Sequence, residues 1–249
     1  MKEIIAIINQ KGGVGKTTTT HALGAALAMA EARVLFVDLD AQGNLSYTLG
    51  LDGGKATSYE LLTREATVLD AIQTGITWEG IAASPALSGM DMNLTQVGKE
   101  FRLKEALEPI NDKYDYVVID TPPALGILTV NALTACTGLI IPAQADIYSL
   151  QGIGQLYITI DTIKRYCNPK LTIKGILLTR HNPRSIISRD ITDMIAQTAE
   201  QLKTTVYKSA IRESVIVKEA QAKQQDLYTY APKSNPAEDY WDFIEEFLS

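Results

Sequence analysis

Near-continuous apolar runs rich in β-branched residues recur along the chain at residues 4–8, 34–37, 116–119, 138–142 and 173–178. Each has the length of a strand, and the scarcity of alternating polar positions marks strands buried on both faces. The intervals between them are long enough for helices and repeat their apolar positions every three to four residues. This predicts helices over 17–30, 129–136, 150–166 and 236–248. Strands alternating with helices specify an α/β fold, a mostly parallel twisted sheet with helices on both faces. The last helix is amphipathic, with Tyr240, Phe243, Ile244 and Phe247 on its apolar side and Glu238, Asp239, Asp242, Glu245 and Glu246 in the remainder. Residues 50–88 follow neither period.

Composition sharpens this picture in three ways. With 249 residues, 46% of them hydrophobic, the chain can bury a sizeable core without disulfides or metals, and its scattered Gly and Pro mark no linker, so residues 1–249 are expected to form a single domain. Cys136 and Cys167 have neither metal nor redox spacing and read as idle thiols in a reducing compartment. No apolar stretch approaches the roughly 18 residues of a membrane span, and the first strand begins without a leader, which predicts a cytoplasmic protein with no membrane partner. An acidic terminal helix also suits an anionic bilayer poorly.

The net charge of −6 argues against a protein that coats nucleic acid over its whole surface, since that binding depends on Lys and Arg neutralising phosphates. The charge is uneven, however. Residues 162–223 hold twelve bases (Lys164, Arg165, Lys170, Lys174, Arg180, Arg184, Arg189, Lys203, Lys208, Arg212, Lys218 and Lys223) against five acids.

Chemistry concentrates where the first strand meets the first helix, at Asn9-Gln10-Lys11-Gly12-Gly13-Val14-Gly15-Lys16-Thr17-Thr18. Strand, glycine-rich loop and helix in that order form a phosphate-binding loop: glycines let the backbone N–H groups turn inward around phosphate oxygens, and the helix dipole points at them. Lys16 would neutralise β/γ-phosphate charge and Thr17 would offer a hydroxyl to Mg²⁺. The usual spacing puts a glycine at position 10, whereas this chain has Gln10 and carries an additional lysine at Lys11. Carboxylates end two strands, at Val37-Asp38-Leu39-Asp40 and Ile119-Asp120-Thr121-Pro122-Pro123, and the carboxyl ends of parallel strands form the ligand crevice of such a sheet. His21 and His181 have no partner at catalytic or metal-ligand spacing and read as structural.

The octet Lys11 to Thr18 resembles the signature of the ParA/MinD family of P-loop ATPases. Val37-Asp38-Leu39-Asp40-Ala41-Gln42-Gly43-Asn44 and the segment around Asp120 are similar to two further family motifs. The resemblance implies ATP and Mg²⁺ as ligands, and Lys11 acting across a nucleotide-dependent homodimer much as an arginine finger does. It implies nucleotide contacts from Lys11, Gly12, Gly13, Val14, Gly15, Lys16, Thr17 and Thr18. Thr17, Asp38 and Asp120 fall in the metal region, and Asp40 orients the attacking water. Asn182, in Leu177-Leu178-Thr179-Arg180-His181-Asn182-Pro183, stands where the family meets the adenine ring, although Asn-Pro is also a turn signal. Ile211-Arg212-Glu213-Ser214 departs from the family's Ile-Pro-Arg-Asn.

Within the family, the acidic terminal helix argues against the membrane-bound septum-site branch, and the two cysteines lack the iron–sulfur pairing of another. The implied task is DNA partition of the short, Soj-like kind. Such an ATP dimer binds non-specific DNA, with Lys203, Lys208, Arg212 and Lys218 as candidate contacts, and a ParB-like centromere-binding protein stimulates its hydrolysis at the nucleoid. The alternative is the same switch positioning or regulating a protein cargo without DNA.

Overall fold

The computed structural model describes residues 3–52, 54–182 and 186–249. Arg184, one of the twelve bases, lies outside the described residues, as does Pro183. The chain runs β1 (Glu3–Ile7), α1 (Lys16–Met29), β2 (Val34–Asp38), α2 (Asn44–Leu49), α3 (Ser58–Thr63), α4 (Val68–Ala71), β3 (Ile72–Thr74), β4 (Glu79–Ile81), α5 (Met90–Asn93) and α6 (Arg102–Leu107). It continues through β5 (Tyr116–Asp120), α7 (Ile127–Ala135), β6 (Gly138–Ala143), α8 (Ile147–Tyr166), β7 (Thr172–His181), α9 (Ile186–Gln201), β8 (Val206–Arg212), α10 (Val215–Ala222), α11 (Leu227–Tyr230) and α12 (Asn235–Leu248).

The strands form one sheet in the order β3-β4-β2-β5-β1-β6-β7-β8, parallel throughout except for the antiparallel β3–β4 pair at one edge. Successive residues of a strand face opposite sides, and here both sides are apolar. Ala6, Val117, Ile119, Leu139 and Ile141 join α6, α7 and α8 in one core. Ile5, Ile7, Val118 and Ile140 join Leu23 and Leu27 of α1 and Tyr240 and Phe243 of α12 in the other. This is the two-faced parallel sheet that the apolar runs predict, and it places the ends of β1, β2 and β5 side by side.

The predicted strands and helices all form, with shifted ends. The residue 50–88 region resolves into α3, α4 and the short β3–β4 pair, with a capping box at each helix: Thr57 with Glu60 and Thr67 with Asp70. Strand β8, not among the apolar runs of the sequence, is an edge strand with only part of its residues buried. Its unpaired amides are satisfied by acids of α12. Glu246 accepts from the Lys208 and Ser209 amides at 2.9 and 3.2 Å, and Asp239 accepts from the Arg212 amide at 2.8 Å. Seven residues apart, these acids share one helix face, so part of the acidic character of α12 closes the sheet edge that would otherwise recruit another strand.

His21 is on the buried face of α1 against Phe36 of β2, ring centroids 6.1 Å apart. Burial lowers its pKa to about 4, against an opposing pull from Asp226. A folded pKa below the unfolded value of about 6.5 means that the associated stability is complete above that pH and is lost as pH falls towards 4. The difference corresponds to about 3 kcal/mol. Urea unfolding at pH 7 and pH 4 is therefore expected to show the wild type losing about that much more stability than His21→Leu; equal losses would place the acid sensitivity elsewhere.

Candidate functional site

The loop between β1 and α1 turns through two left-handed glycines, Gly13 at φ 75° and Gly15 at φ 84°, a conformation that L side chains with a Cβ adopt only under strain. Gly15 also serves as the N-cap of α1 and offers no side chain to its amides, so the N–H groups at that end remain available to an anion. The loop is braced from outside: Thr179 of β7 donates to the Val14 carbonyl at 2.8 Å, and Gln144 donates to the Gly13 carbonyl at 3.2 Å.

A cavity of about 490 Å³ opens over the loop, lined by Gly12, Gly13, Gly15, Lys16, Thr17, Thr18 and Asp40, with Tyr47 and Gln221 at its margin. A second cavity of about 260 Å³ adjoins it, sharing Gly13, Gly15, Thr18 and Gln221 and walled by Thr179, Ile211, Val217 and Tyr240. A polar, glycine-lined half continuous with a more apolar half suits a phosphate chain and a base. Tyr240 ties α12 to this cleft through its hydroxyl, 3.0 Å from that of Thr19.

Lys16 is buried, 7% exposed, and its ammonium donates to the Lys11 carbonyl at 3.1 Å. Burial lowers its pKa, with Asp120 and then Asp40 pulling the other way. Asp120 is wholly buried and accepts from the Thr17 hydroxyl at 2.6 Å. Burial and then the neighbouring Asp38 push its pKa well above the usual carboxylate range. Asp38 and Asp120 are register partners on adjacent strands, two acids with one buried lysine between them and the loop.

A divalent cation fits this arrangement. Thr17 and Asp120 would hold it with the nucleotide's phosphates, the sparse protein ligation that Mg²⁺ favours. Its positive charge would relieve the buried carboxylates and, when bound, offset charge on the transferring phosphate. Among the described residues no cluster of three or more His, Cys, Asp or Glu could hold a metal by itself.

Asp38, expected in the metal region, is held by its own chain. Its oxygens accept from the Asp40 amide at 3.0 Å and from the Ser46 amide and hydroxyl at 2.8 and 2.7 Å, and it has no exposed surface. It shapes the loop that presents Asp40 and does not itself line the cavity. Asp40 does line it, with its own carboxylate accepting only the Gln42 amide, at 3.1 Å, among the described hydrogen bonds.

Lys11 is held within its own chain. Its ammonium donates to Gln144 Oε1 at 3.0 Å and pairs closely with Asp146, while its amide donates to Asn9 Oδ1 at 2.9 Å. Gln144 and Asp146 escaped the sequence reading. Asp146 carries an N-cap signal, accepting from Ser149 three residues on, but nothing local connects it to a lysine 135 positions away. Asn182 follows β7 directly; it does not line the second cavity, whereas Thr179 and Arg180 of the same strand do.

Of the four DNA candidates, Arg212 and Lys218 line the second cavity, whereas Lys203 and Lys208 do not. Lys203 precedes β8 and Arg212 ends it, so the strand alone separates them by about 20 Å. Arg212 is corrected outright: its guanidinium grips Asp239 at 2.6 to 3.0 Å and so fastens β8 to α12. Arg165, Lys174 and Arg180 are likewise paired, with Asp161, Glu3 and Glu213. The basic excess of residues 162–223 is thus smaller in space than in sequence, because Asp161, Glu3 and Asp239 come from outside the segment. Lys203, Lys208 and Lys218 are exposed.

Comparison with known proteins finds relatives over nearly the whole chain. The AAA domain family matches residues 2–173. The chain is 40% identical to the sporulation initiation inhibitor protein Soj of Bacillus subtilis, over 99% of this chain and 98% of that protein. It is 39% identical to the chromosome partitioning protein ParA of Myxococcus xanthus, over 98% of this chain and 87% of that one. A solved structure of cobyrinic acid a,c-diamide synthase from Mycobacterium smegmatis with bound ADP and magnesium superposes with a TM-score of 0.85 at 33% identity, covering 100% of this chain and 94% of that chain.

Proposed function

Because this chain belongs to the ParA/Soj family of AAA-domain P-loop ATPases, we propose that it is a DNA-partition switch, in which ATP joins two copies and hydrolysis parts them. Residues 1–249 act as one ATPase unit. Gly12 to Thr18 hold the phosphates, Thr17 and Asp120 hold Mg²⁺, and Asp40 orients the attacking water. The base occupies the second cavity, and Asn182, just beyond the strand that supplies Thr179 and Arg180 to it, meets the base in the nucleotide-bound state.

The observation that carries the reading is the pair of lysines on one loop. Lys16 is buried and lines the cavity, whereas Lys11 is partly exposed and held by Gln144 and Asp146, partners that it can exchange. A lysine released from them can reach the phosphates of a facing subunit, and a cation supplied from there stabilises charge that develops during phosphoryl transfer. Dimerisation and hydrolysis then both depend on ATP.

In the ATP state the dimer binds DNA without sequence preference through Lys203, Lys208 and Lys218, and a ParB-like protein stimulates turnover. Among the described residues no helix is long and apolar enough to cross a membrane. Binding to random-sequence duplex DNA is expected to require ATP and to weaken roughly a thousandfold between 50 and 200 mM salt if about six phosphates are neutralised. Lys218→Ala should reduce the slope of log affinity against log salt by about two, one contact per subunit. An ATP dimer indifferent to DNA would transfer the function to positioning a protein cargo.

A further inference from the structure

Helix α7 opens without a cap of its own, since the residue at its N-cap is Gly126. Its first amide is satisfied from another element: Ile127 N–H donates to Asp91 Oδ1 at 2.7 Å, across 36 positions of sequence. The contact is close-fitted, for a Cβ at Gly126 would stand 2.5 and 2.8 Å from the two Asp91 carboxylate oxygens.

What this contact anchors is the segment from residue 121 to residue 126, which leads from Asp120 at the end of β5 into α7. The segment's start is pinned to β1, where the Thr121 hydroxyl donates to the Ile7 carbonyl at 2.8 Å. Its end is pinned by Asp91. Between the pins, Pro122 and Ala124 border a cavity of about 100 Å³ whose other walls include Asp40 and Asp91 themselves. There is open space between the segment and Asp40, and the Thr129 hydroxyl of α7 donates to the Ala124 carbonyl at 2.6 Å, so a shift at the start of α7 is passed on to the segment.

We propose that Asp91 is a positioning residue for ATP hydrolysis. By fixing the end of the 121–126 segment, it sets the distance of Pro122 and Ala124 from Asp40 and so the room in which the attacking water is held. The inference rests on Asp40 acting on that water. A cap serving stability alone would lower resistance to urea and leave the turnover of folded molecules unchanged, whereas a displaced catalytic group lowers kcat with little effect on substrate binding.

The test is steady-state ATP hydrolysis by the full chain, normalised to the folded fraction measured by urea unfolding. Asp91→Ala is expected to lower kcat about tenfold and keep the ATP KM within about twofold. Asp91→Asn, which retains an acceptor oxygen, should keep at least half of the turnover. Gly126→Ala, which forces the same contact apart, should match Asp91→Ala. Wild-type kcat in Asp91→Ala, or equal impairment in Asp91→Asn, overturns the inference. Asp40→Ala measured alongside separates the two claims: if its turnover is unchanged, the role of Asp40 is what has failed.

Discussion

Lys16→Ala is expected to lose nucleotide binding and, with it, ATP-dependent dimerisation. The lysine is 7% exposed, within a cavity whose other lining groups are mostly backbone and hydroxyl. Its ammonium is the buried positive charge beside Asp120 and Asp40, both of which act to raise its pKa. Charge-assisted contacts to β/γ-phosphates would be lost at a cost of about 3 kcal/mol, more than a hundredfold in affinity. Removing the cation also leaves the buried Asp120 without the positive charge beside it, and Asp40 is then the charged group on the lining that faces the triphosphate. Titration with a fluorescent ATP analogue reads the result directly. Wild-type affinity in Lys16→Ala would refute the assignment of the cavity.

Asp40→Ala should have the opposite signature. Its carboxylate lines the cavity and accepts the Gln42 amide, while the loop that carries it is held by Asp38, Ser46 and the bond from the Asp40 amide, all of which survive the substitution. ATP affinity is therefore expected to stay within a few-fold of wild type. Loss of the group that orients water should lower turnover by roughly a hundredfold or more. Binding without hydrolysis would trap the dimer. Unchanged single-turnover rates would remove Asp40 from the mechanism.

The parts of this site that could be read in the sequence are those in which neighbours along the chain are neighbours in space. Lys11 to Thr18 form one continuous loop, and its two left-handed glycines are the conformational reason for its composition. Asp38 and Asp120 could be expected close together because parallel strands bring their carboxyl ends to one crevice, and they emerge as register partners. What Asp38 does there was not legible, because it depends on Ser46, eight residues on, supplying two donors. Arg212 read as a free base for the same reason: Asp239, its partner, is 27 positions on, in α12. Gln144 and Asp146, which hold Lys11, belong to a different βα connection altogether.

The fold shows the same division. Buried central strands such as β5 are apolar along nearly their whole length, whereas β8 is half-exposed at an edge and its amides are satisfied by side-chain carboxylates of α12. No periodicity records that exchange. The short β3–β4 pair escaped because three-residue strands carry too few positions for a period to be visible.

The central claim is that ATP, and not ADP, joins two copies of this chain. Sedimentation velocity of the purified protein with Mg·ADP and with Mg·ATP, using Asp40→Ala to prevent turnover, tests it most directly. The account predicts monomer in ADP, dimer in ATP, and loss of the ATP dimer in Lys11→Ala. The same sedimentation coefficient in both nucleotides would contradict it.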